Sequence, residues 1–202
     1  MRFNNDFKKV LKSEYFYVGL LVLAFGLVLN ALSMSILYKR KDSLPVLSDL
    51  ILDNIPLVEW AYIYNLFSIL AILLFVIYII KKEKYKELPF YLCLFGIIYI
   101  LRGIFILLTP FGNPVEAYNP IMDSFSKLRV GVYPSGHTGL SFLAFLLSDG
   151  KFKIFIGISC LMVIVLLLLA KGHYSIDIFS ALIFSYAVYC FGCKYLSDLK
   201  LK

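Results

Sequence analysis

Both histidines of the chain lie in short polar segments of an otherwise apolar sequence. One segment, YPSGHT, spans Tyr133–Thr138 and contains His137; the other, GHYSID, spans Gly172–Asp177 and contains His173. An imidazole can act as a nucleophile, and it can take up or release a proton near neutral pH. The amphipathic ring would explain one histidine at a polar boundary. Two histidines, each in a polar cluster, favour a catalytic site.

The first segment has the residue types of a helix start that binds an anion. Pro134 and Ser135 are favoured at the first positions of a helix. The unpaired backbone N–H groups of such a start attract phosphate, and Gly136 leaves room for its close approach. An ordinary capped helix accounts equally well for Pro134 and Ser135, but it does not account for His137.

The second segment pairs a histidine with a carboxylate. His173 and Asp177 are four residues apart, so on a helix they share one face. The carboxylate can hold one imidazole nitrogen as a donor and leave the other nitrogen free to attack. The alternative is that Asp177 only benefits from the positive end of the helix dipole.

A charged residue interrupts the apolar stretch Leu88–Thr109. Arg102 lies seven residues before Thr109, roughly 10 Å below that end of a helix. A guanidinium at this depth suits a bidentate grip on phosphate. Pairing with Asp177 or Asp49 is an equally good explanation, and the sequence leaves both open.

Two histidines, a carboxylate, an anion-binding helix start and an arginine together indicate phosphoryl transfer. The sequence contains no P-loop and no magnesium-binding carboxylate cluster. The single C-x-x-C of Cys190 and Cys193 is a weak metal signal, for which packing is the better explanation. We therefore predict no metal and no other cofactor.

The composition defines the environment of these residues. The chain has 202 residues, of which 61% are hydrophobic and 16% charged, and its mean hydropathy is +0.85. Soluble domains are roughly 45–50% apolar and about 25% charged. This excludes a water-soluble globule, a disordered chain, a coiled coil and a collagen-like fibre. We predict a small integral membrane protein with a single membrane domain, residues 1–202.

Long uncharged stretches predict the helices of an all-α, six-transmembrane-helix bundle. A β-barrel is disfavoured, because the stretches lack alternating polarity and exceed the length of barrel strands. The first stretch is also too long for the core of a signal peptide, so we expect it to be retained. The fourth helix is short and polar at its start, which predicts that it begins at a membrane surface. The expected helices are about 15–38, 60–80, 88–109, 135–148, 154–170 and 174–196.

The distribution of positive charge predicts the orientation. Most of the 20 lysine and arginine residues fall in the amino-terminal segment, the second and fourth loops and the carboxyl-terminal tail. Cytoplasmic segments are enriched in these residues, so both termini are expected to be cytoplasmic. Both histidines then lie at the opposite face. The net charge of +7 is a topology signal, and it forms no stripe that would bind nucleic acid.

These residues resemble the motifs of a known superfamily. Pro134–His137 resembles the second motif of the type 2 phosphatidic acid phosphatase superfamily, and His173-x-x-x-Asp177 resembles the end of its third motif. The closer likeness is to sphingomyelin synthases and their bacterial relatives, in the segments Ser135–Thr138 and His173–Ile178. Two looser matches are Tyr99-x-x-Arg102 followed by Thr109, and the Pro-containing first-loop segment Leu44–Asp49.

The sequence also departs from those patterns. The superfamily's first motif, a lysine followed by Arg-Pro, is absent. Lys171 is the nearest cation where an arginine is expected before the third-motif histidine. The Cys-Gly-Asp of sphingomyelin synthases is replaced by Arg129–Gly131, and Lys127 and Arg129 are candidates to replace the missing cations.

The resemblance implies a metal-independent lipid phosphatase or phosphotransferase. His173 would be the nucleophile oriented by Asp177, and His137 would be the general acid and then the base. The remaining matches would bind substrate: Arg102, Ser135, Gly136, Thr138, Tyr99 and Tyr174. The partners implied are a phospholipid or lipid phosphate, an alcohol or water acceptor, and the membrane. With the orientation predicted from the positive charges, we expect the site at the extracytoplasmic face of a bacterial plasma membrane.

Two other functions stay open at this point. One is a non-catalytic membrane protein of the same fold that binds lipid. The other is a small transporter that uses Arg102 and Asp177 as an ion relay, although the sequence contains no inverted repeat. The motifs also leave open the head group, the choice between transfer and hydrolysis, and the oligomeric state.

Overall fold

The structure is a computed structural model that describes residues 2–114 and 133–201, with side chains described from residue 7 onward. About 80% of it is helical, and these residues form no β-strand. The short 3₁₀ turns lie at Lys41–Ser43, Glu59–Ile63, Lys84–Glu87 and Ser197–Leu199. The α-helices are α1 (Arg2–Leu11), α2 (Glu14–Tyr38), α3 (Leu50–Asp53), α4 (Tyr64–Lys81), α5 (Leu88–Leu108), α6 (Gly136–Leu147), α7 (Gly150–Leu169) and α8 (Ser175–Tyr195).

Five helices within the described residues are long and apolar enough to cross a membrane. They are α2, α4, α5, α7 and α8, with α4 and α5 each lengthened by the 3₁₀ turn before it. The sixth apolar helix, α6, has 12 residues and is about 18 Å long, which is shorter than the hydrocarbon core. The all-helical, polytopic membrane architecture is therefore confirmed, with one of the six helices short.

The helix bounds differ from the expected ones mainly at two starts. The helix expected from residue 60 begins as α-helix only at Tyr64, after the 3₁₀ turn Glu59–Ile63. The helix α7 begins at Gly150, although the uncharged stretch begins only at Ile154. Its first turn contains Lys151 and Lys153. Lysine extends its amine towards water from the edge of a bilayer, so these charges do not stop the helix.

Glycines bring α2 and α5 into close, parallel contact. A Cβ atom on Gly26 would lie 2.5 Å from the backbone oxygen of Gly96, and one on Gly103 would lie 3.1 Å from the backbone nitrogen of Asn30. Small residues allow this approach, which is a common way to pack helices in lipid. The contact has a consequence for the site, because it places Asn30 beside the turn of α5 that contains Arg102.

The short helix α6 lies inside the bundle. It packs against α4, α5, α7 and α8, and its residues Leu143 and Ala144 are completely buried. The hydroxyl of Ser185 on α8 donates a hydrogen bond of 3.0 Å to the carbonyl of Gly139. The packing fixes α6 from several sides and thereby fixes the position of the polar residues at its start.

Tyrosine–carboxylate hydrogen bonds close the other end of the bundle. The hydroxyl of Tyr78 donates to Asp149 over 3.0 Å, and that of Tyr91 donates to Glu87 over 2.9 Å. The backbone N–H of Leu201 donates to the carbonyl of Lys86, which ties the tail to the same region. These contacts lie at the ends of the helices away from the two histidines.

Candidate active site

The helix α6 begins immediately after Ser135, which is its N-cap. The Ser135 hydroxyl accepts a hydrogen bond of 3.3 Å from the backbone N–H of Thr138. The carbonyl of Ser135 accepts from the N–H of Gly139 over 3.0 Å. The backbone N–H groups of Gly136 and His137 precede these bonded positions, so they have no carbonyl partner within the helix.

The helix α8 begins after Tyr174, and His173 lies just outside it. Tyr174 has an extended backbone with ψ of 154°, so the spacing of His173 and Asp177 is not that of two residues on one helix face. Asp177 Oδ2 instead accepts from the backbone N–H of Tyr174 over 2.9 Å and lies 3.2 Å from Nδ1 of His173. The expected contact is present, but it is formed by a helix cap. The Asp177 carboxylate is fully buried, and His173 is 5% exposed.

The two histidine segments meet. The ring centroids of His137 and His173 are 6.0 Å apart, with 69° between the ring planes. The backbone N–H of Ser135 also donates a hydrogen bond of 3.1 Å to the carbonyl of Asp177. The starts of α6 and α8 thus form one polar cluster.

Arg102 lies directly against the start of α6. A Cβ atom on Gly136 would be 3.2 Å from Nε of Arg102, so glycine leaves the space that the guanidinium fills. Nε donates to the carbonyl of Pro134 over 3.0 Å, and Nη1 donates to the side-chain oxygen of Asn30. Within the described residues, no salt bridge joins Arg102 to Asp49 or Asp177.

Asp49 has a different partner, the start of α8. Its Oδ2 accepts from the backbone N–H of Ser175 over 2.6 Å, and its Oδ1 accepts from Ile51 and Leu52, the first turn of α3. Burial raises the pKa of the Asp49 carboxyl, but the hydrogen bonds from Ser175, Leu52 and Ile51 outweigh burial and hold this pKa below its ordinary value. The carboxylate is therefore ionised at neutral pH.

Tyr64, at the start of α4, also belongs to this cluster. Its ring meets that of His137 edge to face, with centroids 5.1 Å apart and 79° between planes. A Cβ atom on Gly172 would lie 3.4 Å from the Tyr64 hydroxyl oxygen. Sequence reasoning missed Tyr64, because it is one of 15 tyrosines and lies in no motif.

Of the three other predicted substrate-binding residues, two lie next to a histidine in sequence and are buried, and the third packs against α2. Thr138 is fully buried beside His137. Tyr174 is 2% exposed, and its hydroxyl accepts from the N–H of Leu47 over 3.0 Å. Tyr99 packs against α2 at Gly26, and within the described chain no hydrogen bond or ring contact joins it to either histidine.

Of the three candidate replacement cations, the structure describes one. Lys171 is half-buried, two residues before His173, and has a positive φ of 47°. Lys127 and Arg129 lie outside the described residues.

The cluster places together side chains that can attack an electrophile, transfer a proton and attract an anion. When Nδ1–H of His173 donates to Asp177, the Nε2 lone pair is left for attack on an electrophile. The positive guanidinium of Arg102 and the first N–H groups of α6 provide a setting for an anion. In the described part of the chain, no group of three or more His, Cys, Asp or Glu residues could hold a metal ion.

Comparison of the chain with protein-family models and with curated proteins gives no match.

Proposed function

We propose that the protein is a membrane-embedded lipid phosphotransferase or phosphatase that works through a phosphohistidine intermediate. Its substrate is a phospholipid or a lipid phosphate. The observation that carries this proposal is the approach of the two imidazoles to 6.0 Å, with Asp177 on Nδ1 of His173. The motif resemblance to the phosphatidic acid phosphatase superfamily and its sphingomyelin synthase branch supports the same chemistry.

The two histidines have different roles in the proposed first step. Nε2 of His173 attacks phosphorus, and the bond from phosphorus to the leaving oxygen breaks. His137 donates its proton to that oxygen, so the lipid alcohol leaves neutral. Asp177 keeps the His173 ring in the attacking orientation and stabilises the positive charge that the ring gains.

In the second step the phosphohistidine breaks down, and His137 acts as a base. His137, now without its proton, takes one from water or from an alcohol, whose oxygen attacks the phosphohistidine. The nitrogen–phosphorus bond breaks and His173 is regenerated. Water as the acceptor makes the protein a phosphatase, and an alcohol makes it a transferase.

Phosphate binding is assigned to the start of α6 and to Arg102. The guanidinium beside Gly136 and the N–H groups of the first turn, capped by Ser135, are the groups that would hold the phosphate oxygens. Thr138, Tyr99 and Tyr174 remain proposed substrate-binding residues from the motif resemblance.

The proposed location is the extracytoplasmic face of a bacterial plasma membrane, with both termini in the cytoplasm. The excess of lysine at the end of the bundle away from the histidines supports this orientation. The head group would then be presented from the outer leaflet.

A lipid conversion assay tests the function. Purified protein is incubated with a mixed lipid extract, and mass spectrometry records head groups gained and lost. A new phospholipid indicates a transferase and free phosphate indicates a phosphatase. The matched control is His173→Ala, which should leave the extract unchanged. An extract that wild-type protein also leaves unchanged would contradict the proposal and favour a non-catalytic lipid-binding protein.

A further inference from the structure

We propose that Asp49 is a positioning residue for the candidate site, through its contact with the first turn of α8. This inference rests on the proposed function for the role of His173, and it assigns a task to a carboxylate that the mechanism above does not use. Asp49 acts through Asp177 and His173 and touches no reacting atom.

The contact joins two distant parts of the chain. Asp49 Oδ2 and the backbone nitrogen of Ser175 are 2.6 Å apart, although 126 residues separate them in sequence. Asp49 is 9% exposed, and its other oxygen is bound by the first turn of α3. The backbone N–H groups of α3 therefore fix the Asp49 carboxylate, and this carboxylate fixes the first residue of α8.

A second hydrogen bond fixes the neighbouring residue of α8. The N–H of Leu47 donates to the hydroxyl of Tyr174 over 3.0 Å. Tyr174 also donates its own N–H to Asp177 Oδ2, the oxygen that faces His173. Leu47 and Asp49 therefore bind Tyr174 and Ser175, two of the three residues that connect His173 to Asp177.

The bond from Ser175 is not needed to form the helix. Ser175 is the first residue of α8, and the N–H at that position has no partner within a helix. Its N–H is instead used to attach α8 to Asp49. The negative charge of Asp49 is also favourable beside the positive end of the α8 dipole.

Three variants separate positioning from folding. Asp49→Asn keeps the shape and removes the charge. Ser175→Pro removes the N–H and the hydroxyl that Ser175 directs at Asp49. It should keep the helix, because proline is favoured at the first position of a helix and the extended Tyr174, with ψ of 154°, suits a following proline. The matched control is Asp53→Asn, because Asp53 is an exposed acid of the same segment. The asparagine oxygen can still accept the hydrogen bond that Asp53 accepts from the Asp49 N–H.

Nuclear magnetic resonance of ¹⁵N-histidine-labelled protein in detergent gives a readout that does not depend on the substrate. The chain has only two histidines, so two imidazoles contribute signals. We expect wild type and Asp53→Asn to show His173 protonated at Nδ1, since a carboxylate that accepts from Nδ1 selects that form. Asp49→Asn and Ser175→Pro should both lower that fraction. Unchanged His173 signals in the folded Ser175→Pro or Asp49→Asn protein would overturn the inference.

Kinetics on phosphatidic acid and phosphatidylcholine micelles give a second readout. Both variants should lower kcat by roughly 10²-fold, the effect of a small misplacement of reacting groups, with KM changed less than about twofold. The double variant should be no slower than the slower single variant, because both substitutions break one contact. A raised KM with unchanged kcat would overturn the inference. If wild type converts neither lipid, the assay on the mixed lipid extract decides the proposed function, and the histidine spectra still decide the role of Asp49.

Discussion

The rings of His137 and His173 meet edge to face, with centroids 6.0 Å apart, although the two residues belong to different helix starts. The backbone hydrogen bond from Ser135 to Asp177 holds those two starts together. The proposed reaction needs a nucleophile and a proton donor at the same phosphoryl group, and this arrangement brings two imidazoles to one place.

Asp177→Asn should keep the fold and lower kcat by about 10²-fold or more. The amide can still accept from Tyr174 N–H, but it no longer selects the Nδ1–H form of His173 or stabilises its positive charge. Turnover in the lipid conversion assay and thermal unfolding in detergent measure the two effects. An unchanged kcat would remove the orienting role assigned to Asp177.

Gly136→Ala should raise KM or lower kcat/KM by about tenfold, because the new Cβ would lie 3.2 Å from Arg102 Nε and displace the guanidinium. Gly157→Ala is the matched control, since its Cβ meets the Phe145 ring at a similar 3.1 Å but away from the histidines. Initial rates over a range of lipid concentrations compare the two. Equal loss in both variants would show that crowding of helices, and not Arg102, causes the effect.

Gly26→Ala should lower the free energy of unfolding by about 1–3 kcal/mol, the usual cost of overpacking. The new Cβ would lie 2.5 Å from the Gly96 carbonyl oxygen, so α2 and α5 must separate. Unfolding by sodium dodecyl sulfate in mixed micelles measures it. Gly112→Ala is the control, because its nearest neighbour is at an ordinary 3.6 Å. No greater loss for Gly26→Ala than for this control would contradict the glycine contact.

Asp49→Asn should change the pH dependence of stability. The folded-state pKa of Asp49 lies below the ordinary value of 3.8, so its contribution is complete above that value and is lost as the pH falls through the folded pKa. Wild type should exceed Asp49→Asn in free energy of unfolding at pH 7, and the difference should shrink below about pH 4. Unfolding titrations at several pH values measure it. A constant difference would mean that the Asp49 charge does not contribute.

The helices could be predicted well because a bilayer imposes one requirement on the chain that leaves a clear pattern in the sequence. A spanning segment must satisfy its own backbone hydrogen bonds, so long apolar stretches become helices. The apolar stretches predict α2 and α5 closely, and the Pro-Ser pair predicts the start of α6. The start of α7 lies four residues before its apolar stretch, because lysines at a bilayer edge are compatible with a helix.

Contacts between distant residues were not predictable in the same way. The bond of Asp49 to Ser175 and the contact of Asn30 with Arg102 both depend on how distant parts of the chain pack. For Asn30 and Arg102, that packing includes glycine contacts between α2 and α5, such as Gly26 with Gly96. The sequence does not decide whether Arg102 pairs with a carboxylate or binds a phosphate. It also suggested a helix-face pairing for His173, where the structure has a helix cap.

The most direct test of the proposed chemistry is a search for the phosphohistidine. Purified protein is incubated with radiolabelled phospholipids, quenched in alkali, and digested for mass spectrometry. We predict an acid-labile label on His173, and we predict that His173→Ala carries no label and turns over lipid at least roughly 10³-fold more slowly. Full turnover in His173→Ala, or a label that resides on another residue, would contradict the account.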